Sequence, residues 1–331
     1  MVPICTGSDT GGSLRNAAAF SGIVGFRPSP GLVPSNKRPI GWSNLPVLGP
    51  MARTVEDTCL LLGAIASDDV RDPLAYSVHR RSMRHAEEFY PPPAIDLSRL
   101  RVALTPDFGF APTERHIASV FAEKCCLFQH VFANAEVATP DCSDTDEAFE
   151  VLRSLAFLAT QADNVRDRPG DVGPNVHANV AEGQRYSAAD VARALTLQTL
   201  IYRRWQTFFE RHDVILSPSI TISPRSWREL YPAEIDGKPT RTYFHWLALA
   251  YAVTLPRHPA ISLPVGLDRN GMPFGLQIIG PRGGDALVLA VAHALETLLD
   301  GDGRTARPVP DLAKLQAARP IRDMEGFLGF D

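Results

Sequence analysis

An α/β/α sandwich around one mixed, twisted sheet is the fold class this chain predicts. Three observations predict it. Short apolar runs of strand length, such as Val214-Ile215-Leu216 and Leu276-Gln277-Ile278-Ile279, recur between Gly and Pro punctuation. Longer stretches place apolar residues at helical spacing, as with Val55, Cys59, Leu62 and Ala66. The two kinds of segment alternate, which is the order that buries a sheet under helices on both sides. The chain has 331 residues, 45% of them apolar, enough for a sizeable core. No repeat and no low-complexity linker divides it.

The elements follow in order. Val2-Pro3-Ile4-Cys5 reads as the end of a buried strand, with a glycine loop after it. Residues 14–20 read as a short helix with Ser13 at its N-terminal edge, and residues 22–34 as a loop with strand-like pieces. Thr54 starts a helix by a capping-box-like pattern. Residues 90–93 break the chain at the surface. Residues 101–104 read as a strand, 117–125 and onward as an amphipathic helix, and 135–138 as a strand. Residues 149–161 are helical by their spacing. Residues 166–180 carry Gly and Pro and read as a loop. A long helix spans 188–212, followed by the strand 214–216 and an irregular stretch over 223–239. A helix over 246–253, strands over 261–263 and 276–279, and a helix over 286–299 complete the set. Residues 304–331 are polar and read as a loosely packed tail.

Composition excludes several classes. A net charge of -4 gives no electrostatic case for nucleic-acid binding. The pairs Arg80-Arg81 and Arg203-Arg204 read as solvated helix faces. Five cysteines without a C-x-x-C pattern read as reduced thiols of a cytoplasmic protein. No apolar run approaches the ~20 residues of a membrane span, so no membrane partner is expected. The nine histidines are scattered and no H-E-x-x-H occurs, so neither a metal nor a cofactor is expected. His258 reads as a packing or surface residue. A phosphate-binding G-x-x-x-x-G-K-[ST] is absent; Gly280-Pro281-Arg282-Gly283-Gly284-Asp285 reads as a helix-entry turn instead.

Chemistry concentrates in Gly7-Ser8-Asp9-Thr10-Gly11-Gly12-Ser13-Leu14-Arg15. Glycines beside a serine let the main chain turn sharply and bring N–H groups close to a developing oxyanion. Ser13 also opens a helix, whose unpaired N–H groups favour negative charge. The nucleophile elbow G-x-S-x-G does not fit, because Arg15 stands two residues after Ser13.

This run resembles the signature of the amidase signature family. Its continuation, Gly22-Ile23-Val24-Gly25-Phe26-Arg27-Pro28-Ser29, agrees with the family's. So do the ordered segments Gly49-Pro50-Met51-Ala52-Arg53-Thr54, Asp213-Val214-Ile215-Leu216-Ser217-Pro218, Pro259-Ala260-Ile261-Ser262-Leu263-Pro264 and Pro273-Phe274-Gly275-Leu276-Gln277-Ile278. Ala17 stands where the family usually has Pro.

The resemblance implies an amidase-signature-type sandwich over residues 1–303, with the tail after it. It implies hydrolysis of small carboxamides through an acyl-enzyme on Ser13. Thr10, Gly11, Gly12 and Ser13 become the oxyanion hole, and Asp9 and Arg15 the supports of the loop. It implies a small-molecule amide as partner, no cofactor, and a homodimer among the allowed assemblies. The family activates its nucleophile through a second serine and a lysine upstream. Residues 1–12 contain no lysine, and Ser8 occupies the signature's own position. The expectation is therefore a chain without those N-terminal elements and without activity as given. A non-catalytic, partner-binding remnant is the alternative, and the catalytic subunit of a tRNA-dependent amidotransferase ranks below both.

Overall fold

The computed structural model describes residues 2–75, 85–320 and 323–326. Arg80 and Arg81 lie outside the described residues, as does part of the expected tail. An eight-stranded mixed sheet forms the middle layer. The first half supplies β1 (Ile4–Asp9), α1 (Ser13–Ser21), β2 (Val24–Arg27), β3 (Val47–Ala52), α2 (Val55–Ile65), α3 (His85–Phe89), β4 (Arg101–Leu104), α4 (Arg115–Phe128), β5 (Asn134–Val137) and α5 (Thr145–Asp167). The second half supplies α6 (Pro174–Arg185), α7 (Ala188–Phe209), β6 (Val214–Pro218), a small ribbon of β7 (Glu234–Ile235) and β8 (Lys238–Pro239), α8 (Ala248–Thr254), β9 (Ala260–Leu267), β10 (Pro273–Ile279), α9 (Asp285–Leu299) and α10 (Leu312–Ala317).

The strand order is β1-β3-β2-β9-β10-β6-β4-β5. The β4 strand runs parallel to β5 and β6, and the other neighbours are antiparallel. Period-two alternation assigns each strand's apolar residues to two cores. Val102, Leu104, Val214, Leu216, Ile261 and Ile278 pack under α2, α4 and α9. Ala103, Ile215, Ala260 and Ile279 face the opposite way, under α5, α7 and α8. Central strands covered on both faces read as near-continuous apolar runs. The predicted sandwich is thus the observed fold.

Two local expectations are corrected. The first strand is neither short nor buried: it extends through Gly7 and Ser8 to Asp9, and half of its residues are exposed. It lies at the sheet edge with only β3 beside it. The segment 166–180 is not a loop, because α5 continues to Asp167 and α6 begins at Pro174. Gly173-Pro174 marks a helix start there, where proline's fixed φ and missing N–H cost nothing. The β3 strand had no signal in the apolar pattern. Within the expected tail, Thr305 is buried and donates its hydroxyl to Leu299 O (2.9 Å), whereas residues 309–320 are exposed. Arg203 and Arg204 lie on α7, and Arg204 pairs with Asp141 at 3.3 Å.

Two buried titratable groups hold loops to the sheet with opposite pH dependence. Asp285 opens α9 and accepts the Ser29 N–H at 2.8 Å; burial raises its pKa from 3.8 to about 6. His258 is a packing residue, stacked on Trp205 and bonded through Nδ1 to Gly280 O at 3.0 Å. Burial lowers its pKa from 6.5 to about 3. As pH falls from 7 to 4.5, folded Asp285 takes up its proton before the unfolded group does, so stability rises. Over the same window the unfolded His258 protonates and the folded one does not, so stability falls. The two effects oppose each other in the native chain. Asp285→Asn removes the gain and should lose about 2 kcal/mol relative to wild type between pH 7 and 4.5, at ~1.4 kcal/mol per pKa unit. Urea titrations at the two pH values check this; parallel losses in both proteins would contradict it.

Candidate active site

The site is a turn between an edge strand and a helix. The β1 strand ends at Asp9, the chain turns through Thr10-Gly11-Gly12, and α1 begins at Ser13. Both glycines are dictated locally. Gly12 has φ +121, and a Cβ there would meet Asn16 Nδ2 at 2.4 Å and Ala250 Cβ at 2.5 Å. At Gly11 a Cβ would meet the Phe149 ring at 2.9 Å. That ring is itself clamped by stacking on Tyr251, 4.2 Å between centroids. Gly12→Ala should therefore displace the turn and with it Ser13. We expect at least a ~100-fold loss of acylation rate, the scale of misplacing one oxyanion donor. Rates with an activated ester measure it, and an unchanged rate would show that the turn tolerates the shift.

Beneath the turn lies a buried charge cluster. Asp9, Arg15 and Arg27 are each 0% exposed. Arg15 grips the Asp9 carboxylate with two bonds, Nε to Oδ2 at 3.0 Å and Nη2 to Oδ1 at 2.9 Å. Arg27 donates to Asp9 O at 2.7 Å and to Oδ1 at 3.2 Å. The same Oδ1 accepts the Gly12 N–H at 2.8 Å. Burial alone would raise the Asp9 pKa, but Arg15 and Arg27 overturn this and hold it at about 2. Burial pushes the Arg27 guanidinium down to about 10. Arg15 continues to Gln277 Oε1 (2.7 Å), Ala250 O (2.9 Å) and Thr254 Oγ1 (3.1 Å). Gln277 passes the network on to Ser217 Oγ at 2.9 Å. The turn is thus tied to β2, β6, β10 and α8.

The sequence-expected residues Asp9 through Arg15 are brought together, with one revision. The Gly12 N–H is spent on Asp9 and is not free for a ligand. Of the expected donors, Thr10, Gly11 and Ser13 line the adjoining cavity. Sequence reasoning missed Arg27 and Gln277. Each carried a signal: a charged or polar residue inside an otherwise apolar buried strand.

The cavity measures about 410 Å³. Its floor is the turn, one wall is the segment 35–46 with Lys37 and Arg38, and another is α5 with Arg153 and Phe157. Ser13 is exposed, and its Oγ makes no hydrogen bond among the described residues. Ser8 sits exposed on the edge strand, outside the residues that line the cavity. Among the described residues no cluster of three or more His, Cys, Asp or Glu could hold a metal ion. No helix among them is long and apolar enough to cross a membrane.

Comparison with known proteins bears on the family and the fold. The Amidase family model matches residues 1–289. The chain belongs to the amidase family. It is 29% identical over 299 residues to an acylamidase of Rhodococcus erythropolis, covering 89% of this chain and 61% of that protein. It is 31% identical over 324 residues to a glutamyl-tRNA(Gln) amidotransferase subunit of Geobacillus kaustophilus, covering 90% and 64%. The solved structure of a bacterial aryl acylamidase superposes with a TM-score of 0.79 at 23% identity, covering 97% of this chain and 65% of that one. The chain therefore spans less than two thirds of the length of these relatives.

Proposed function

We propose that this chain carries the acyl-transfer chemistry of an amide hydrolase, with Ser13 as the nucleophile that takes the acyl group of a small carboxamide. The observation that carries the reading is the placement of Ser13: exposed at a helix N-terminus, on a cavity floor, in a turn that the buried Asp9–Arg15–Arg27 cluster holds in place. Attack of Ser13 Oγ on the carbonyl carbon forms a tetrahedral oxyanion. The N–H groups of Thr10, Gly11 and Ser13 are the candidate donors to it. Collapse breaks the C–N bond, the proton given up by Ser13 Oγ passes to the leaving nitrogen, and the amine departs to leave an ester on Ser13, which water then hydrolyses to the acid.

A serine hydroxyl needs a base within hydrogen-bond reach at neutral pH. No described residue offers one to Ser13 at that distance, and Lys37 is the one lysine among the residues lining the cavity. Residues 1–331 alone are therefore expected to be slow on unactivated amides. A residual ~10³–10⁴-fold over water is the scale that donors and binding supply without a base. The same observation favours a second reading, a partner-binding chain without turnover. The relatives include both an acylamidase and an amidotransferase component, which supports an amide bond as the target and leaves the acyl group to be read from the cavity.

Ammonia release from a panel of simple amides, with Ser13→Ala as background, tests the proposal. Slow release that depends on Ser13 supports it, and release equal in both proteins contradicts it. Turnover of ~1–10³ s⁻¹, ordinary for an enzyme, would mean that a base is recruited within this chain, and Lys37→Gln would then be the variant to abolish it.

A further inference from the structure

Resting on the amidase reading, we propose that the cavity selects amides that carry a carboxylate, and that Arg153 is the residue that receives it. The cavity wall is one-signed. Lys37, Arg38 and Arg153 line it, and no Asp or Glu does. Arg38 is already paired with Asp72 at 2.5 Å. Lys37 and Arg153 form no ion pair among the described residues.

Arg153 is the unusual member. It is only 8% exposed, its hydrogen-bond partners are neutral, and the one carboxylate acting on its charge, Glu182, forms no ion pair with it. Its Nη atoms donate to Asn179 Oδ1 and to the Tyr243 hydroxyl. Its guanidinium lies 4.4 Å from the ring centres of both Phe157 and Phe244, and 5.0 Å from that of Tyr243. Its Nε makes no hydrogen bond among the described residues. Burying a cation is costly without a counter-charge. Aromatic faces and neutral acceptors offset only part of that cost. They also fix the guanidinium plane, so a ligand carboxylate meets a preset donor and not a flexible one. Phe157 belongs both to the cage and to the cavity wall, which places the guanidinium at the same cavity as Ser13. Cavities of this volume take small molecules. The remaining wall, with Ile40, Pro46, Ala156 and Leu247, suits a short hydrocarbon linker between the carboxylate and the scissile amide.

Calorimetric titration of the 331-residue chain carrying Ser13→Ala, which prevents turnover, tests this with a matched pair of probes. Succinamate has one carboxylate and one amide; succinamide has two amides and the same length. The proposal expects succinamate to bind at least tenfold tighter, with the preference shrinking as salt rises. Arg153→Gln should reduce the ratio to near one while succinamide affinity stays within about twofold. Lys37→Gln, on the open wall, should lower the ratio by a smaller factor. Circular dichroism checks that each variant is folded; should Arg153→Gln fail to fold, the parent's ratio and its salt dependence decide. Equal binding of the two probes, no binding of either, or a preference that survives in folded Arg153→Gln would overturn the proposal. Failure of the amidase reading shows elsewhere, as absence of Ser13 acylation by an activated ester, and does not depend on the probes' charge.

Discussion

Replacing Asp9 with alanine should destabilise the fold by about 3–5 kcal/mol, the cost of removing one partner from a buried ion pair. Three things happen at once. Arg15 and Arg27, both fully buried, lose the carboxylate that both contact. Their guanidiniums then face each other without a counter-charge between them. The Gly12 N–H loses its acceptor. Arg15 keeps Gln277, Thr254 and Ala250 O, and Arg27 keeps the main-chain O of residue 9, so some of the cost is relieved. Asp9→Asn keeps an acceptor for Gly12 but not the charge, and should fall between alanine and wild type. Urea unfolding measures both. A loss below ~1 kcal/mol for alanine would show that the cluster is wet or adaptable. The sign with pH follows from Asp9's lowered pKa. Its contribution is complete above about 3.8, the unfolded value, and is lost as pH falls through about 2.

Ser13→Ala should remove acyl transfer altogether while leaving stability within ~0.5 kcal/mol of wild type. The side chain is exposed and bonds to no described residue, so the fold does not depend on it. The chemistry does, because only Oγ can hold the acyl group. An activated ester such as p-nitrophenyl acetate is the discriminating substrate. Its leaving group needs no proton, so the missing base matters least and the nucleophile most. We expect a fall of at least ~10³-fold in acetylation rate, less than the ~10⁶-fold that a serine hydrolase with its full triad loses with its nucleophile. A variant that is folded and nearly as fast would transfer the role to another residue.

The fold was legible where local pattern and tertiary role coincide. Residues 101–104 form a parallel strand and look like one, because Val102, Ala103 and Leu104 make a short buried apolar run that stops before Pro106. The edge strand was misjudged because its residues, Ile-Cys-Thr-Gly-Ser-Asp, show no alternation: it is half-solvated, and pairing with β3 alone defines it. The helix at Pro174 was missed because Gly-Pro is ambiguous between a break and a start until the packing of α6 against α5 is known. At the site, Asp9, Ser13 and Arg15 were legible because they are close in sequence. Arg27 and Gln277 reach the same cluster from other strands; a polar residue in each apolar strand signals a buried partner but does not say which one. Arg153 was invisible as a cavity residue, because only the folded chain brings α5 to the turn. The oxyanion donors were over-counted, because a run of N–H groups does not reveal that one of them is spent on Asp9.

The claim at the centre is that Ser13 takes an acyl group, and intact-mass spectrometry of residues 1–331 after brief exposure to p-nitrophenyl acetate tests it most directly. The expected product carries one added acetyl group, mapped by peptide fragmentation to Ser13, absent from Ser13→Ala and sharply reduced in Gly12→Ala. Acetylation spread over surface lysines with Ser13 untouched, or the same single adduct in Ser13→Ala, would contradict it.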